Sequence, residues 1–196
     1  MIKNGEEIHK KMNKYKIIAL FGKSGAGKDT LQKYLIKKLP NSKEIISCTT
    51  RPKREYEKDG IDYHFLTDEQ FANDIGNCNM LEATSFRGWF YGTRIDSLDK
   101  DKINIGVFNL EGIKCLLEDS RLEILPIHII VPDKIRLIRS LNREKNPDCK
   151  EICRRFLSDE KDFEEQLDFF SLVYENSKQK ITLDNLILST NFIGQD

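Results

Sequence analysis

The chain has 196 residues, 33% of them charged, with 32 lysines and arginines against 32 aspartates and glutamates. That length suits one compact domain with room for an inserted subdomain. The balanced charge gives no bulk electrostatic reason to expect nucleic acid or an anionic membrane as partner, and no apolar run approaches the roughly 20 residues needed to cross a bilayer, so any basic site must be local.

In chain order, MIKNGEEIHKKMNK lacks the apolar core of a signal peptide and reads as a polar tail over 1–13, ahead of a domain over 14–196. YKIIALF (15–21) is a nearly unbroken apolar run ending at glycine, the pattern of a strand buried on both faces. DTLQKYLIKKL sets Leu31, Leu35 and Leu39 at i, i+4 spacing with Pro40 closing the run, which predicts an amphipathic helix. EIISC (44–48), INIGVF (103–108) and ILPIHIIV (124–131) predict further strands, with His128 a core or strand-end residue. Helical patterns run through EGIKCLLED (111–119), PDKIRLIRSLNRE (132–144) and KEICRRFLSDEKDFEEQL (150–167), and ITLDNLIL carries the last apolar pattern. Strands alternating with helices predict an α/β fold whose parallel sheet is flanked by helices.

Residues 47–97 break this rhythm. They hold short extended pieces, IDYHFL, NMLEAT and GWFYGT, around TDEQFANDI, a short helix with Thr67 as N-cap and Gln70 three residues on. They predict an inserted, mixed α/β substrate subdomain. The five cysteines (Cys48, Cys78, Cys115, Cys149, Cys153) are scattered, and the Cys149/Cys153 pair has no second Cys/His pair at zinc spacing. They read as reduced thiols of a cytoplasmic protein.

The stretch FGKSGAGKDT follows the first strand and opens the first helix. Gly22-x-x-x-x-Gly27-Lys28 matches the first part of a P-loop, in which glycines let successive N–H groups turn inward on a polyphosphate while the lysine reaches its outer oxygens. A bare match arises in about one shuffled chain of this composition in fifteen. The flanking strand and helix supply the context that the motif requires, and the helix dipole adds to it. Gly22, Ser24, Gly25, Ala26, Gly27, Lys28, Asp29 and Thr30 are the candidate ATP-binding residues. Asp29 stands where the usual magnesium-binding Ser/Thr follows the lysine, so Asp29 and Thr30 are both open as Mg²⁺ contacts.

SCTTRPKREYEKDGIDYHFL places Arg51 and Arg54 three apart and Tyr63 nine further on, a set suited to a phosphate monoester dianion. From GKSGAGKDT through this stretch to MLEATSFRGWFYGT the chain resembles guanylate kinases, whose pattern TTR-x-x-R-x-x-E-x-x-G-x-D-Y-x-F is met by Thr49, Thr50, Arg51, Arg54, Glu57, Gly60, Asp62, Tyr63 and Phe65. The resemblance covers most of 15–190. It implies a P-loop NTPase-type core (14–46, 98–138, 161–196), a monophosphate-binding insert (47–97) and a helical lid (139–160).

It further implies transfer of the ATP γ-phosphate to GMP or dGMP with Mg²⁺ in support. Arg51, Arg54, Tyr63 and Tyr91 would then hold the acceptor phosphate. Ser47 and Glu82 would read the base, with Gly92, Thr93 and Asn109 beside them. An ionised Glu82 could accept from both guanine N1–H and N2–H₂, whereas adenine offers an acceptor at N1. Lys28 and the lid arginines Arg143, Arg155 and Arg139 would neutralise the moving phosphoryl group, and no general base is needed because the acceptor oxygen is already anionic.

The chain departs from the family at VFNLEG, where Val107 and Asn109 occupy acidic positions and Glu111 stands for glutamine, and at Ser140, where a lid arginine is usual. These departures leave open a deoxynucleoside monophosphate kinase of broader base tolerance. A non-catalytic guanylate-kinase-like binding module is the reading from another class. The expected partners are small nucleotides, with the chain a monomer or homodimer.

Overall fold

The computed structural model describes residues 14–53, 55, 57–86, 88–143, 145–164 and 172–175. Five strands form a parallel sheet in the order β2-β7-β1-β8-β9, with β1 (Tyr15–Phe21) at its centre between β7 (Ile103–Val107) and β8 (Leu122–Ile130). The edges are β2 (Ser42–Glu44), paired to β7, and β9 (Leu172–Glu175), paired to β8. This is the parallel α/β sheet that the alternating pattern predicts.

β1 shows why its run is apolar on both parities. Ile18 and Leu20 pack with Leu31, Leu35 and Leu39 of α1 (Lys28–Lys38) and its end, together with Ile105, Leu125, Ile127 and Ile129. Ile17, Ala19 and Phe21 face the other way, onto Leu110, Ile113 and Leu116 of α3 (Leu110–Glu118). Two helical layers thus cover one sheet, and Ile17–Phe21 of β1 are buried on both faces. His128 lies on the second face, stacked between Phe21 at 4.8 Å and Phe163 at 5.4 Å. Burial lowers its pKa, with Lys23 adding to the effect. It is a half-buried residue of β8 packed between two rings.

A second sheet of four short strands stands apart, in the order β4-β3-β6-β5. It comprises β3 (Cys48–Thr49), β4 (His64–Phe65), β5 (Met80–Phe86) and β6 (Trp89–Arg94), with α2 (Asp68–Gly76) between β4 and β5. The reciprocal capping box between Thr67 and Gln70 that opens α2 is present, at 3.1 and 2.9 Å.

One strand expected from sequence divides. EIISC is no single strand: β2 ends at Glu44, Ile45–Ser47 are irregular, and Cys48 begins β3 in the other sheet. Its continuous apolar pattern arises because Ile45 packs into the main core while Cys48 is buried within the insert. The strand β9 carried no pattern that the sequence reading isolated. The 1–13 tail and the ITLDNLIL segment lie outside the described residues. All five cysteines are free, with Cys48 alone buried.

After β8 the chain forms a helical hairpin, α4 (Asp133–Asn142) and α5 (Cys149–Asp162), with Asp148 capping α5 by accepting from Glu151 N at 3.0 Å. The phosphate loop is pressed between this hairpin and the sheet. Gly22 has φ +148, and a Cβ there would lie 2.4 Å from the Ile129 carbonyl oxygen. Gly22→Ala is expected to cost about 2–3 kcal/mol of unfolding free energy, read by chemical denaturation, because the obstacle is main chain of the central sheet and cannot yield as a side chain would.

Candidate functional site

The loop from Gly22 to Gly27 leaves the C-terminal end of β1 and delivers Lys28 at the first turn of α1. Gly27 is the N-cap at φ +89, and Gly25 has φ +77. These left-handed values are what the glycines supply. Lys28 Nζ donates to Gly22 O at 2.8 Å and Lys23 O at 3.2 Å, which folds the ammonium back over the loop. Burial lowers its pKa; Asp29 and Asp159 oppose the shift, while Arg136 and Arg143 reinforce it. Arg143 is therefore near enough to be felt at the loop. Asp29 and Thr30 are exposed on the first turn of α1, so their hard oxygens stand beside Lys28.

Ser24 is tied to the helical hairpin. Its N–H donates to Asp159 Oδ2 at 2.7 Å, its hydroxyl to Asp159 Oδ1 at 3.3 Å, and its carbonyl accepts from Arg136 Nη1 at 3.1 Å. All three polar groups turn towards α4 and α5.

In the second sheet, the TTR motif has a local mechanical reason. Thr50 N and Thr49 Oγ1 donate to Phe90 O at 3.0 Å each, and Thr50 Oγ1 accepts from Phe90 N at 3.0 Å. The two threonines clip the end of β3 to β6 and turn the chain so that Arg51 leaves the sheet. Its guanidinium is then gripped by Glu57 through two bonds, 2.8 and 3.0 Å, and lies over the rings of Tyr63 (5.6 Å) and Phe65 (5.8 Å). The turn that returns Tyr63 is held by Gly60 at φ +74, by Lys58 N donating to Asp62 at 2.8 Å and by Phe65 N donating to Asp59 at 2.9 Å. Tyr63 meets Tyr91 edge-on at 6.2 Å. Burial raises the Tyr63 pKa, and Tyr91 and Asp29 push in the same direction. Since Asp29 opens α1, the second sheet and the phosphate loop lie within electrostatic reach of each other. Arg54 lies outside the described residues.

Glu82 sits on β5, buried, with Oε1 accepting from Thr93 Oγ1 at 2.8 Å across the strand pair. Desolvation pushes its carboxyl up to about 7 against the Thr93 hydrogen bond. A Cβ on Gly112 would lie 3.1 Å from Glu82 Oε2 and 3.1 Å from Asn109 Oδ1, so this glycine makes room for both. Asn109 is the N-cap of α3: Oδ1 accepts from Gly112 N at 2.7 Å and Nδ2 donates to Thr84 Oγ1 at 2.7 Å. Val107 is half-buried against the main core. Gly92 is closed off by its neighbours, since a Cβ there would lie 2.7 Å from Glu82 O and 3.0 Å from Phe71 Cζ, and its smallness serves strand packing. The Ser47 carbonyl accepts from His64 N at 2.9 Å.

The arginines of the helical hairpin are divided. Arg154 and Arg155 both donate to Glu151, at 3.0 and 2.8 Å, and Arg154 also lies 5.9 Å from the ring of Phe86 at the tip of the β5–β6 hairpin. Arg139 is half-buried on α4, and Arg143 is the exposed C-cap of that helix. The residue that sequence reasoning missed is Arg136. It is 1% exposed and ringed by Asp133, Asp159 and Glu160, with Phe156 at 4.2 Å from its guanidinium. Asp133, three residues before it, was the one local signal.

A phosphate loop between a central parallel strand and a helix, with a small second sheet beside it, defines a P-loop NTPase-type α/β protein. The fold is shared with the crystal structure of guanylate kinase from Anaplasma phagocytophilum, at a TM-score of 0.66 and 23% identity over 90% of this chain and 85% of that one. The chain belongs to the guanylate kinase family, whose model matches residues 14–187.

Guanylate kinases from Helicobacter hepaticus (42% identical over 105 residues, 52% of each chain) and Prochlorococcus marinus (36% over 150 residues, 74% of this chain and 80% of the relative) are similar to it. A relative from Thermotoga maritima is 41% identical over 93 residues. The match spans about half the length of the Helicobacter and Thermotoga proteins, 52% and 44%.

Glu57→Ala is expected to lower stability by about 2–3 kcal/mol in denaturant titrations, because it strips the Arg51 guanidinium of its carboxylate in a largely buried pair. Gly112→Ala should disturb Glu82 and Asn109 with a smaller loss, about 1 kcal/mol, since side-chain oxygens can give way.

Proposed function

We propose that this chain transfers the terminal phosphoryl group of ATP to GMP or dGMP. The observation that carries the reading is a buried carboxylate with acceptor capacity to spare: among the described residues one hydroxyl donates to Glu82, and its second oxygen faces Gly112 at the start of α3. Guanine presents N1–H and N2–H₂ side by side and would supply the missing donors, while adenine would leave the carboxylate unpaired. Thr93 and Asn109 stand on either side of Glu82, through the Thr93 hydroxyl and Gly112, and Ser47 would complete the base-reading set. Arg51, fixed by Glu57, forms with Tyr63, Tyr91 and Arg54 the seat of the acceptor phosphate.

ATP is held by the loop Gly22–Lys28 and the N–H groups that open α1, which have no partner within the helix. Lys28 moves from the loop carbonyls onto the outer phosphates. Asp29 and Thr30 offer the oxygens that a magnesium ion prefers, with water and phosphate oxygens filling its remaining positions, and such an ion would neutralise charge on the transferring group. Arg139, Arg143 and Arg155 supply the other positive charge. Arg155 must first leave Glu151, a part-buried pair that joins residues one turn apart on the same helix. Closing the hairpin over both nucleotides excludes the water that would compete as acceptor. The enzyme works as monomer or homodimer, and its free thiols suit the cytoplasm.

Binding and turnover measurements test this. A guanine that donates twice needs Glu82 ionised, and burial has raised the carboxyl to about 7. GMP binding should therefore weaken as pH falls through 7, approaching about tenfold per unit, and should level off above it. Glu82→Gln should lose this step while keeping the inflection that belongs to the nucleotide phosphate. It should also lower kcat/KM for GMP at least about a hundredfold, because an amide donor then faces donors. Equal turnover of AMP and GMP by the unaltered chain would overturn the base assignment. Lys28→Ala should abolish transfer while GMP still binds, as judged by calorimetry.

A further inference from the structure

The Ser24–Asp159–Arg136 contacts take no part in the transfer chemistry just described, yet they join the helical hairpin directly to the phosphate loop. Asp159 holds the Ser24 N–H at 2.7 Å, and Arg136 Nη1 bridges Ser24 O and Asp159 Oδ2 at 3.1 Å each. Arg136 is itself locked. Nη2 donates to Asp133 at 2.6 Å and Glu160 at 3.0 Å, Nε to Asp133 at 3.1 Å, and its main-chain oxygen would lie 2.7 Å from any Cβ at Gly25. Lys23 adds a 2.6 Å bond to Glu160. Three consecutive loop residues, 23 to 25, therefore lean on α4 and α5, in a region where the Asp159 side chain is only 15% exposed.

We propose that Asp159, oriented by Arg136, is a positioning residue for ATP, setting the shape of the phosphate loop from outside it. Drawing the Ser24 N–H towards α5 fixes the peptide planes before Gly25, and so the direction in which the later amides of the loop and of α1 face. A loop with glycines at 22, 25 and 27 has many conformations to lose on gripping a triphosphate. A charge-assisted bond that holds one of them in advance removes part of that cost from ATP binding and none from GMP binding. The inference rests on the reading of residues 22–28 as the ATP cradle.

The test is steady-state kinetics of the full chain carrying Asp159→Asn, well below its melting temperature, with KM read separately for ATP and GMP. The ratio of KM for ATP to KM for GMP should rise about tenfold, with Asp159→Glu falling between the variant and the original. An unchanged ratio overturns the proposal, and so does a parallel rise of both constants, which would mark the contact as one of stability alone. Should Asp159→Asn not fold, Asp159→Glu decides by the same ratio, since its longer arm misplaces the carboxylate while retaining the charge. Calorimetry of ATP with Lys28→Ala separates the two layers. If that variant binds ATP as tightly as the original chain, the cradle reading falls and this inference with it. If it binds weakly while Asp159→Asn leaves the ratio unchanged, only the role of Asp159 falls.

Discussion

Main-chain atoms of β8 and α4 crowd the loop between β1 and α1, and most of the site follows from that pressure. The Ile129 carbonyl stands where a side chain on residue 22 would go, and the Arg136 carbonyl does the same at residue 25. Neither obstacle can rotate away, so the loop is confined by the same layers that bury β1 on both faces. Lys28 inherits its position from this confinement: the helix that carries it begins where the loop is forced to end, and its ammonium folds onto the first two loop carbonyls.

Two of the charged side chains buried among the described residues, Arg136 and Glu82, are treated in opposite ways. Arg136 is surrounded by three carboxylates, a loop carbonyl and an aromatic ring, so its charge is fully compensated. Glu82 receives one hydroxyl and is pushed up to about 7. The first arrangement suits a fixed mechanical joint. The second leaves a carboxylate whose ionised form gains most when a ligand arrives with donors, a frequent property of recognition sites.

How much of this the sequence disclosed depended on the range of the interactions. The R…E…G.DY.F part of the motif was legible because its bonds are local, Arg51 to Glu57, Lys58 to Asp62, and Asp59 to Phe65 spanning six residues or fewer, whereas Thr49 and Thr50 before it bond Phe90 some 40 residues away. The capping box of α2 and the doubly buried β1 were legible for the same reason, since period and spacing carry them. Ser24 bonds Asp159, 135 residues away, a pairing that no local pattern signals. Gly92 was grouped with ligand contacts, whereas its missing side chain makes way for Phe71 and the β5 main chain. EIISC misled because an unbroken apolar run looks the same whether it stays in one sheet or crosses from one to another.

The two ends of α5 differ in how they are held. Its first turns rely on Glu151 pairing with Arg154 and Arg155, at side-chain exposures of 28–44%, while its last turns close on Arg136 at 1%. Dissolved salt at physiological strength, with a screening length of about 8 Å, weakens the former and scarcely reaches the latter. Rising ionic strength therefore weakens pairs that run along the first turns of α5 itself, while the last turns of this fourteen-residue helix stay joined to α4 and the phosphate loop.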